Sequence, residues 1–195
     1  LGLENVGFEP DEDGHLSLTA DSTGLVQQTP GDEPWLYAVG DAAGKNLFTH
    51  QGKYEARATG AAIAARAKGE LKGTPRDWSR FAQTANQHAV PSVVFTDPEL
   101  ASVGRTLQAA RKDGYNASSV ELPIQVAGSS LHSENYDGWA QLVVDEDRKV
   151  LLGATFAGPD VAELLHAATI AVVGKVPLDR LWHAVPSYPT ISEVW

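Results

Sequence analysis

The chain has 195 residues, and its 43% hydrophobic content is enough for one large or two modest packed domains. Its formal net charge of −10 argues against nucleic acid or an anionic membrane as a partner. The lack of cysteine excludes a disulfide framework or a thiolate metal site in this segment.

In the first third of the chain, residues 15–19 alternate like a short strand, and a longer apolar run follows. That run extends from Trp35 to Val39 and ends in Gly40 and Asp41, which is typical of a buried parallel strand that delivers a carboxylate to a ligand crevice. Gly40 has no Cβ, so the backbone can turn sharply or approach a ligand there. Taken alone, a Gly-Asp ending is more often an ordinary turn.

A helix is predicted from Thr49 to about Lys68, with Thr49 or His50 near its N-cap. Small residues recur at every fourth position, at Gly52, Ala56, Gly60 and Ala64. Such a ridge would let the helix approach another backbone or a flat ring closely. The N–H groups and the positive dipole end at the helix start favour negative charge nearby.

The block from Trp35 to Lys53, WLYAVGDAAGKNLFTHQGK, resembles the second flavin-binding motif of the pyridine nucleotide-disulfide oxidoreductases. The resemblance implies that Asp41 holds a hydroxyl of the FAD ribityl chain, and that the segment ending at His50 lies near the flavin pyrimidine edge. The implied cofactor-binding residues are Gly40, Asp41, Leu47, Phe48, Thr49 and His50. FAD is then the cofactor, and NAD(P)H is the co-substrate of the intact enzyme.

The second half of the chain is predicted to form another domain. Residues 73–87 are polar and are interpreted as a linker between the tail of an FAD-binding α/β domain, 1–72, and a domain over 88–195. The words VVFTDPELASVG resemble the opening of the family's interface domain, which implies an α+β dimerisation domain with an antiparallel sheet and a homodimer.

Local patterns within the second domain predict strands, hairpins and helices. Strands are expected at 90–96 and 100–104, a helix at 106–113, and a hairpin from 139–144 and 150–156. A further helix is predicted from an Asp160 N-cap, with Glu163 completing a capping box, to a stop at Gly174. One face of that helix is apolar, at Val161, Leu164, Leu165, Ala168 and Val172.

The chain closes with Tyr188-Pro189-Thr190-Ile191-Ser192-Glu193. In the disulfide-reducing members of the family this place reads His-Pro-Thr, with a Glu three residues after the Thr. That His moves a proton for the substrate thiol in the partner subunit's site, and the Glu orients its ring. The resemblance therefore places Tyr188 and Glu193 at catalytic positions, with a phenol where an imidazole is expected.

A phenol, with a reference pKa of about 10, is a poor base near neutrality, whereas an imidazole near 6.5 is suited to the task. His183 lies five residues before Tyr188, so it does not fill the motif position. The substitution argues against dithiol–disulfide turnover and leaves FAD binding and dimerisation untouched. No other catalytic motif competes, and the six histidines lack metal-ligand spacing, so we expect no metal site.

These patterns predict the carboxyl-terminal part of an FAD-dependent NAD(P)H oxidoreductase that uses a quinone or another small molecule as electron acceptor. The alternatives are a dimerisation module without catalytic activity of its own, and a disulfide reductase of the dihydrolipoamide dehydrogenase type. The chain lacks methionine, which suggests a fragment or a processed chain, and the fragment alone is expected to be inactive. No apolar run approaches bilayer length and no signal peptide opens the chain, so we expect a cytoplasmic protein without a membrane partner.

Overall fold

A computed structural model of the chain describes residues 2–10, 12–14, 16–31 and 34–195. Its contacts separate into two compact units, Leu1–Gln87 and His88–Trp195. The bounds 1–72, 73–87 and 88–195 stay a prediction. Of the strand predicted at 15–19, His15 lies outside the described residues, and residues 16–19 form no strand.

The first unit is built around helix α1, Thr49–Ala67. This confirms the predicted helix, but its N-cap is Phe48, whose backbone is extended and which makes no side-chain cap hydrogen bond. The buried face of α1 consists of Gln51, Glu55, Ala58, Thr59, Ala62 and Ala65. Of the ridge of small residues, Gly52 is half-buried, whereas Ala56, Gly60 and Ala64 are exposed within this unit. No helix among the described residues is long and apolar enough to cross a membrane.

The predicted buried parallel strand from Trp35 to Asp41 is wrong. Residues 35–39 are extended, but they pair in antiparallel fashion with residues 24–26 through one isolated bridge, between Leu25 and Tyr37. No parallel strand lies beside them among the described residues, so their hydrogen bonds go to this local partner instead. Trp35 is exposed, and Ala38 is the buried member of the run.

The second unit contains a five-stranded sheet, which confirms the predicted α+β domain with antiparallel pairing. The strands run in the order β1-β2-β5-β4-β3, and every neighbouring pair is antiparallel. They are β1 Pro91–Val94, β2 Glu99–Gly104, β3 Ala117–Pro123, β4 Trp139–Asp145 and β5 Val150–Gly158. The predicted 139–144 and 150–156 hairpin is β4 and β5, whereas strand β3 has no counterpart in the prediction.

The second unit also contains short helices, α3 Leu107–Lys112, α4 Leu165–Gly174 and α5 Leu178–Leu181. Helix α2, Ala85–His88, lies at the end of the first unit and includes the first residue of the second. The helix predicted at 106–113 is α3, and the Thr106 hydroxyl caps it by accepting a hydrogen bond from the Ala109 amide at 3.2 Å. Helix α4 packs on β5 and β2. All five residues of the predicted apolar face are buried in the main core, although Val161 and Leu164 precede α4.

The capping box predicted at Asp160 and Glu163 is wrong. Asp160 has a left-handed backbone with φ of 56°, and a 3-10 turn at Val161–Leu164 precedes α4. The Ala162 amide donates instead to the Glu99 carboxylate at 3.1 Å. Asp160 itself pairs with His132, with 2.8 Å between Oδ2 and Nδ1, so a long-range contact replaces the local cap.

Bare glycine backbones allow the closest approaches in the sheet. Gly104 has φ of +79°, and a Cβ there would overlap the Leu152 carbonyl oxygen of β5. A Cβ on Gly153 would likewise overlap the Arg105 backbone. The β2–β5 pairing therefore requires glycine at both positions.

We expect Gly104→Ala to lower the free energy of unfolding by about 3 kcal/mol, because a left-handed backbone and a backbone clash add together. Gly114→Ala is the matched control, since Gly114 has φ of +85° but no atom within 4 Å of an added Cβ. The control should cost about 1–2 kcal/mol, from the backbone term alone. Chemical denaturation measures both, and equal losses would show that the β2–β5 contact tolerates the added atom.

Candidate functional site

The predicted cofactor-binding residues lie where the Gly40 turn meets the start of α1. Residues 35–39 lead into a 3-10 turn, Gly40–Ala43, in which Gly40 has φ of +61°. Asp41 follows it and is exposed. A Cβ added to Gly52 would lie 3.3 Å from the Gly40 Cα, so two glycines let the turn and the helix touch through their backbones.

The segment before the helix presents apolar and aromatic groups. Leu47 is 69% exposed, and the Phe48 and His50 rings stack with centroids 5.1 Å apart and planes 15° apart. Thr49 is exposed in the first turn of α1. Amide groups at a helix start carry partial positive charge, so this end favours an anionic group.

Beneath the turn lies a buried carboxylate that the sequence analysis missed. Glu55 is 0% exposed, and its Oε2 accepts a hydrogen bond from the Gly40 amide at 2.5 Å. Its Oε1 accepts one from the Asn86 side-chain amide at 2.7 Å. The available signal was its position three and seven residues before Ala58 and Ala62, which places an acidic side chain on the apolar face of α1.

An open cleft of about 380 Å³ lies in the same unit. It is lined by Ala20, Asp21, Ser22, Lys45, Asn46, Asp77, Gln83, Thr84, Asn86 and Gln87. Although Lys45 is exposed overall, its ammonium donates to the Asp21 carbonyl at 2.7 Å and to Gln83 Oε1 at 3.2 Å. Partial desolvation there lowers the pKa of Lys45, while the carboxylates of Glu55 and Asp21 act in the opposite direction. Lys45 therefore links the Asp21 backbone to the Gln83 side chain.

The second unit holds the carboxyl-terminal motif. A Cβ on Gly128 would collide with the Thr190 backbone, so the motif lies directly on the 3-10 turn Ala127–Leu131. Ile191 is buried, whereas Tyr188 is 78% exposed. The closing motif is therefore anchored at Thr190 and Ile191 and exposed at Tyr188.

Glu193 has a carboxylate oxygen, Oε2, that is buried without a hydrogen-bond partner among the described residues. The hydrogen bonds of the described chain include none between this carboxylate and the Tyr188 hydroxyl, and His183 is exposed. In the first unit, the structure thus brings Gly40 and Asp41 close to the start of α1, which follows the segment 47–50. In the second unit, Tyr188 and Glu193 are near in sequence but share no side-chain hydrogen bond in the part of the chain that the structure describes. Among the described residues, no group of three or more metal-ligating side chains is assembled.

Known proteins resemble the chain over its whole length. Dihydrolipoyl dehydrogenase from Chlamydia pneumoniae is 30% identical over 195 residues, which are 100% of this chain and 38% of the relative. Dihydrolipoyl dehydrogenase from Thermus scotoductus is 33% identical over 193 residues, 99% of this chain and 37% of the relative. The chain therefore spans less than two fifths of the length of these relatives.

Two solved structures share the fold. LpdA from Mycobacterium tuberculosis matches 99% of this chain and 38% of its own, with a TM-score of 0.72 and 24% identity. RclA from Escherichia coli, an HOCl-induced flavoprotein disulfide reductase, matches 99% of this chain and 40% of its own, with a TM-score of 0.73 and 24% identity. At this identity the likeness concerns the fold alone.

The dimerisation-domain model of the pyridine nucleotide-disulphide oxidoreductases matches residues 90–195, which are more than half of the chain and include the sheet, α4 and the closing motif. The chain belongs to the pyridine nucleotide-disulfide oxidoreductase family.

Proposed function

We propose that the chain is the carboxyl-terminal part of an FAD-dependent NAD(P)H oxidoreductase. The observation that carries the proposal is the backbone contact of Gly40 with Gly52, which places exposed Asp41 beside the start of α1. This surface suits FAD, because a carboxylate accepts hydrogen bonds from hydroxyls and two bare glycines leave room for close approach. FAD, when bound, would take a hydride from NAD(P)H and deliver two electrons to an acceptor.

Each residue of the surface has a definite task in this proposal. Asp41 would accept a hydrogen bond from a ribityl hydroxyl and orient the chain that carries the ring. Leu47 and Phe48 would exclude water from one edge of the ring, with Thr49 and His50 beside it. The positive end of α1 would stabilise negative charge at that edge.

The electron acceptor is proposed to be a quinone or a similar small molecule rather than a disulfide. Tyr188 supports this choice, since it stands where a disulfide-reducing site needs a base that works near neutrality. Hydride transfer between nicotinamide and flavin needs no base at this place.

Two other functions are supported by particular observations. A disulfide reductase of the dihydrolipoamide dehydrogenase type is favoured by the names of the relatives. A dimerisation module without catalysis of its own is favoured by the domain match over residues 90–195. The cytoplasmic location and the absence of nucleic acid and membrane partners remain predictions from composition and charge.

Association as a homodimer is also proposed, because the matched domain is the dimerisation domain of the family. Trp182 and Val185 are 84% and 85% exposed and lie close in sequence to Tyr188. Large apolar side chains exposed together are typical of an interaction surface. A symmetric interface of an obligate kind buries on the order of 2,000 Å² or more.

Asp41→Ala in the full-length protein should weaken FAD binding about 10-fold or more, because a hydrogen bond to a charged group is lost. Glu70→Gln is the control, since Glu70 is an exposed acidic residue of the same unit, just beyond α1. A flavin fluorescence titration measures the dissociation constants. Unchanged affinity in Asp41→Ala would remove the ribityl assignment.

The wild-type full-length protein should turn over NAD(P)H with a quinone at least about 10² times faster than with lipoamide, since general acid–base help is worth roughly 10² to 10⁴ in rate. Steady-state kinetics with both acceptors test this ratio. Tyr188→His should raise lipoamide turnover in a protein that carries a redox-active cysteine pair. Efficient lipoamide turnover by the wild type, lost in His183→Gln, would contradict the proposal and identify His183 as a displaced base.

Sedimentation of the protein at micromolar concentration should give twice the chain mass. Trp182→Ala should raise the dimer dissociation constant about 10-fold or more if this side chain is a central contact, as large aromatic contacts often are. Val120→Ser is the control, because Val120 is 53% exposed on the edge strand β3. A monomeric wild type would refute the homodimer, and a Trp182→Ala dimer as tight as the wild type would place the interface elsewhere.

A further inference from the structure

The Gly40 turn is held by one buried side chain of α1. Glu55 is fully buried, and its two oxygens accept separate hydrogen bonds, from the Gly40 amide at 2.5 Å and from Asn86 Nδ2 at 2.7 Å. The partners are 15 and 31 residues away in the chain. Glu55 therefore joins the turn, the helix and the segment that contains Asn86 at one point.

The direction of these hydrogen bonds is set by a third side chain. Gln51, one turn earlier on α1 and 4% exposed, donates its amide to Asn86 Oδ1 at 2.8 Å. This contact leaves the Asn86 NH₂ group facing Glu55, so both groups that face the carboxylate are donors. Only a side chain that accepts twice satisfies both of them.

We propose that Glu55 is a positioning residue for the flavin surface, which sets the Gly40 backbone and through it the direction of Asp41. The inference rests on the proposed FAD function. Gly40 needs such a restraint because glycine populates many backbone conformations at little cost. The Glu55 contact selects the one, at φ of +61°, in which the Gly40 amide points to the helix while Asp41 is exposed.

A carboxylate with a purely structural task would be expected to affect stability alone. Asp145 offers that comparison in the second unit, since it is 2% exposed and accepts hydrogen bonds from the Arg148 side chain and from the Asp147 and Arg148 amides. The hydrogen bonds of its carboxylate are all made within the β4–β5 hairpin. Asp145→Asn is therefore a matched control for the loss of a buried carboxylate away from the flavin surface.

Glu55→Gln keeps the size of the side chain but turns one acceptor into a donor. The new NH₂ group must then face the Gly40 amide or the Asn86 NH₂ group, unless the Asn86 and Gln51 amides both reverse. Adding Asn86→Asp restores the pattern, because the new carboxylate accepts from Gln51 and from the new amide at position 55. The double variant moves the charge by one side chain and retains every hydrogen bond.

The experiment measures FAD affinity, the flavin absorption spectrum and exchange of the Gly40 amide hydrogen in the full-length wild type, the two variants and Asp145→Asn. We expect Glu55→Gln to weaken FAD binding about 10-fold or more and to speed exchange at Gly40 in the protein stripped of flavin. The double variant should return both values to within about 3-fold of the wild type. Asp145→Asn should lower stability and leave FAD affinity and Gly40 exchange unchanged.

The possible results separate the two proposals. A wild type that binds no FAD would overturn the proposed function and, with it, this role of Glu55. In a wild type that binds FAD, unchanged affinity in Glu55→Gln would overturn the positioning role alone. If Asp145→Asn weakened FAD binding equally, the loss of affinity would follow from general stability, and the positioning role would be overturned. Failure of the double variant to restore FAD affinity would also overturn it, because the hydrogen bond to Gly40 would then not determine that affinity.

Discussion

The approach of Gly40 to Gly52 is the constraint on which the geometry of the first unit's candidate site depends. The two backbones touch because neither residue has a Cβ, and the Gly40 amide can then reach Glu55 across 2.5 Å. A Cβ on Gly52 would lie 3.3 Å from the Gly40 Cα and would push the turn away from the helix, whereas at Gly40 the φ of +61° itself disfavours a larger residue. Either change would weaken the contact that brings the Gly40 amide to the buried carboxylate. Loss of this hydrogen bond is costly, because an unpaired buried charge keeps its full desolvation penalty. The position of the exposed Asp41 side chain thus depends on the backbone contact between Gly40 and Gly52.

The second unit anchors its functional segment by the same device. Gly128 lies so close to the Thr190 backbone that a Cβ at Gly128 would overlap it. The next residue, Ile191, is buried in the main core. Tyr188, in the same motif, is exposed. The dimerisation-domain match of the family covers this segment.

Local patterns predicted the elements whose partners are near in sequence. Helix α1 and the β4–β5 hairpin follow from their residue periods and from the turn between the strands. The run at 35–39 shows the limit, because an apolar pattern predicts extended backbone but does not identify the neighbour with which it pairs. The capping box predicted at Asp160 is absent from the described chain because the Ala162 amide donates to Glu99, 63 residues earlier in the chain. The Glu55 contacts were missed for the same reason, and β3 was missed because its polar sequence, ASSVELP, lacks a strand's strong alternation.

The remaining question of chemistry concerns Glu193 and the residue that it would orient. In the disulfide-reducing members this carboxylate serves an imidazole, whereas here its Oε2 is buried without a partner among the described residues. Such an oxygen costs about 1–3 kcal/mol when nothing satisfies it. In the proposed function, the choice of acceptor depends on Tyr188, a phenol at the position where thiol chemistry requires a base.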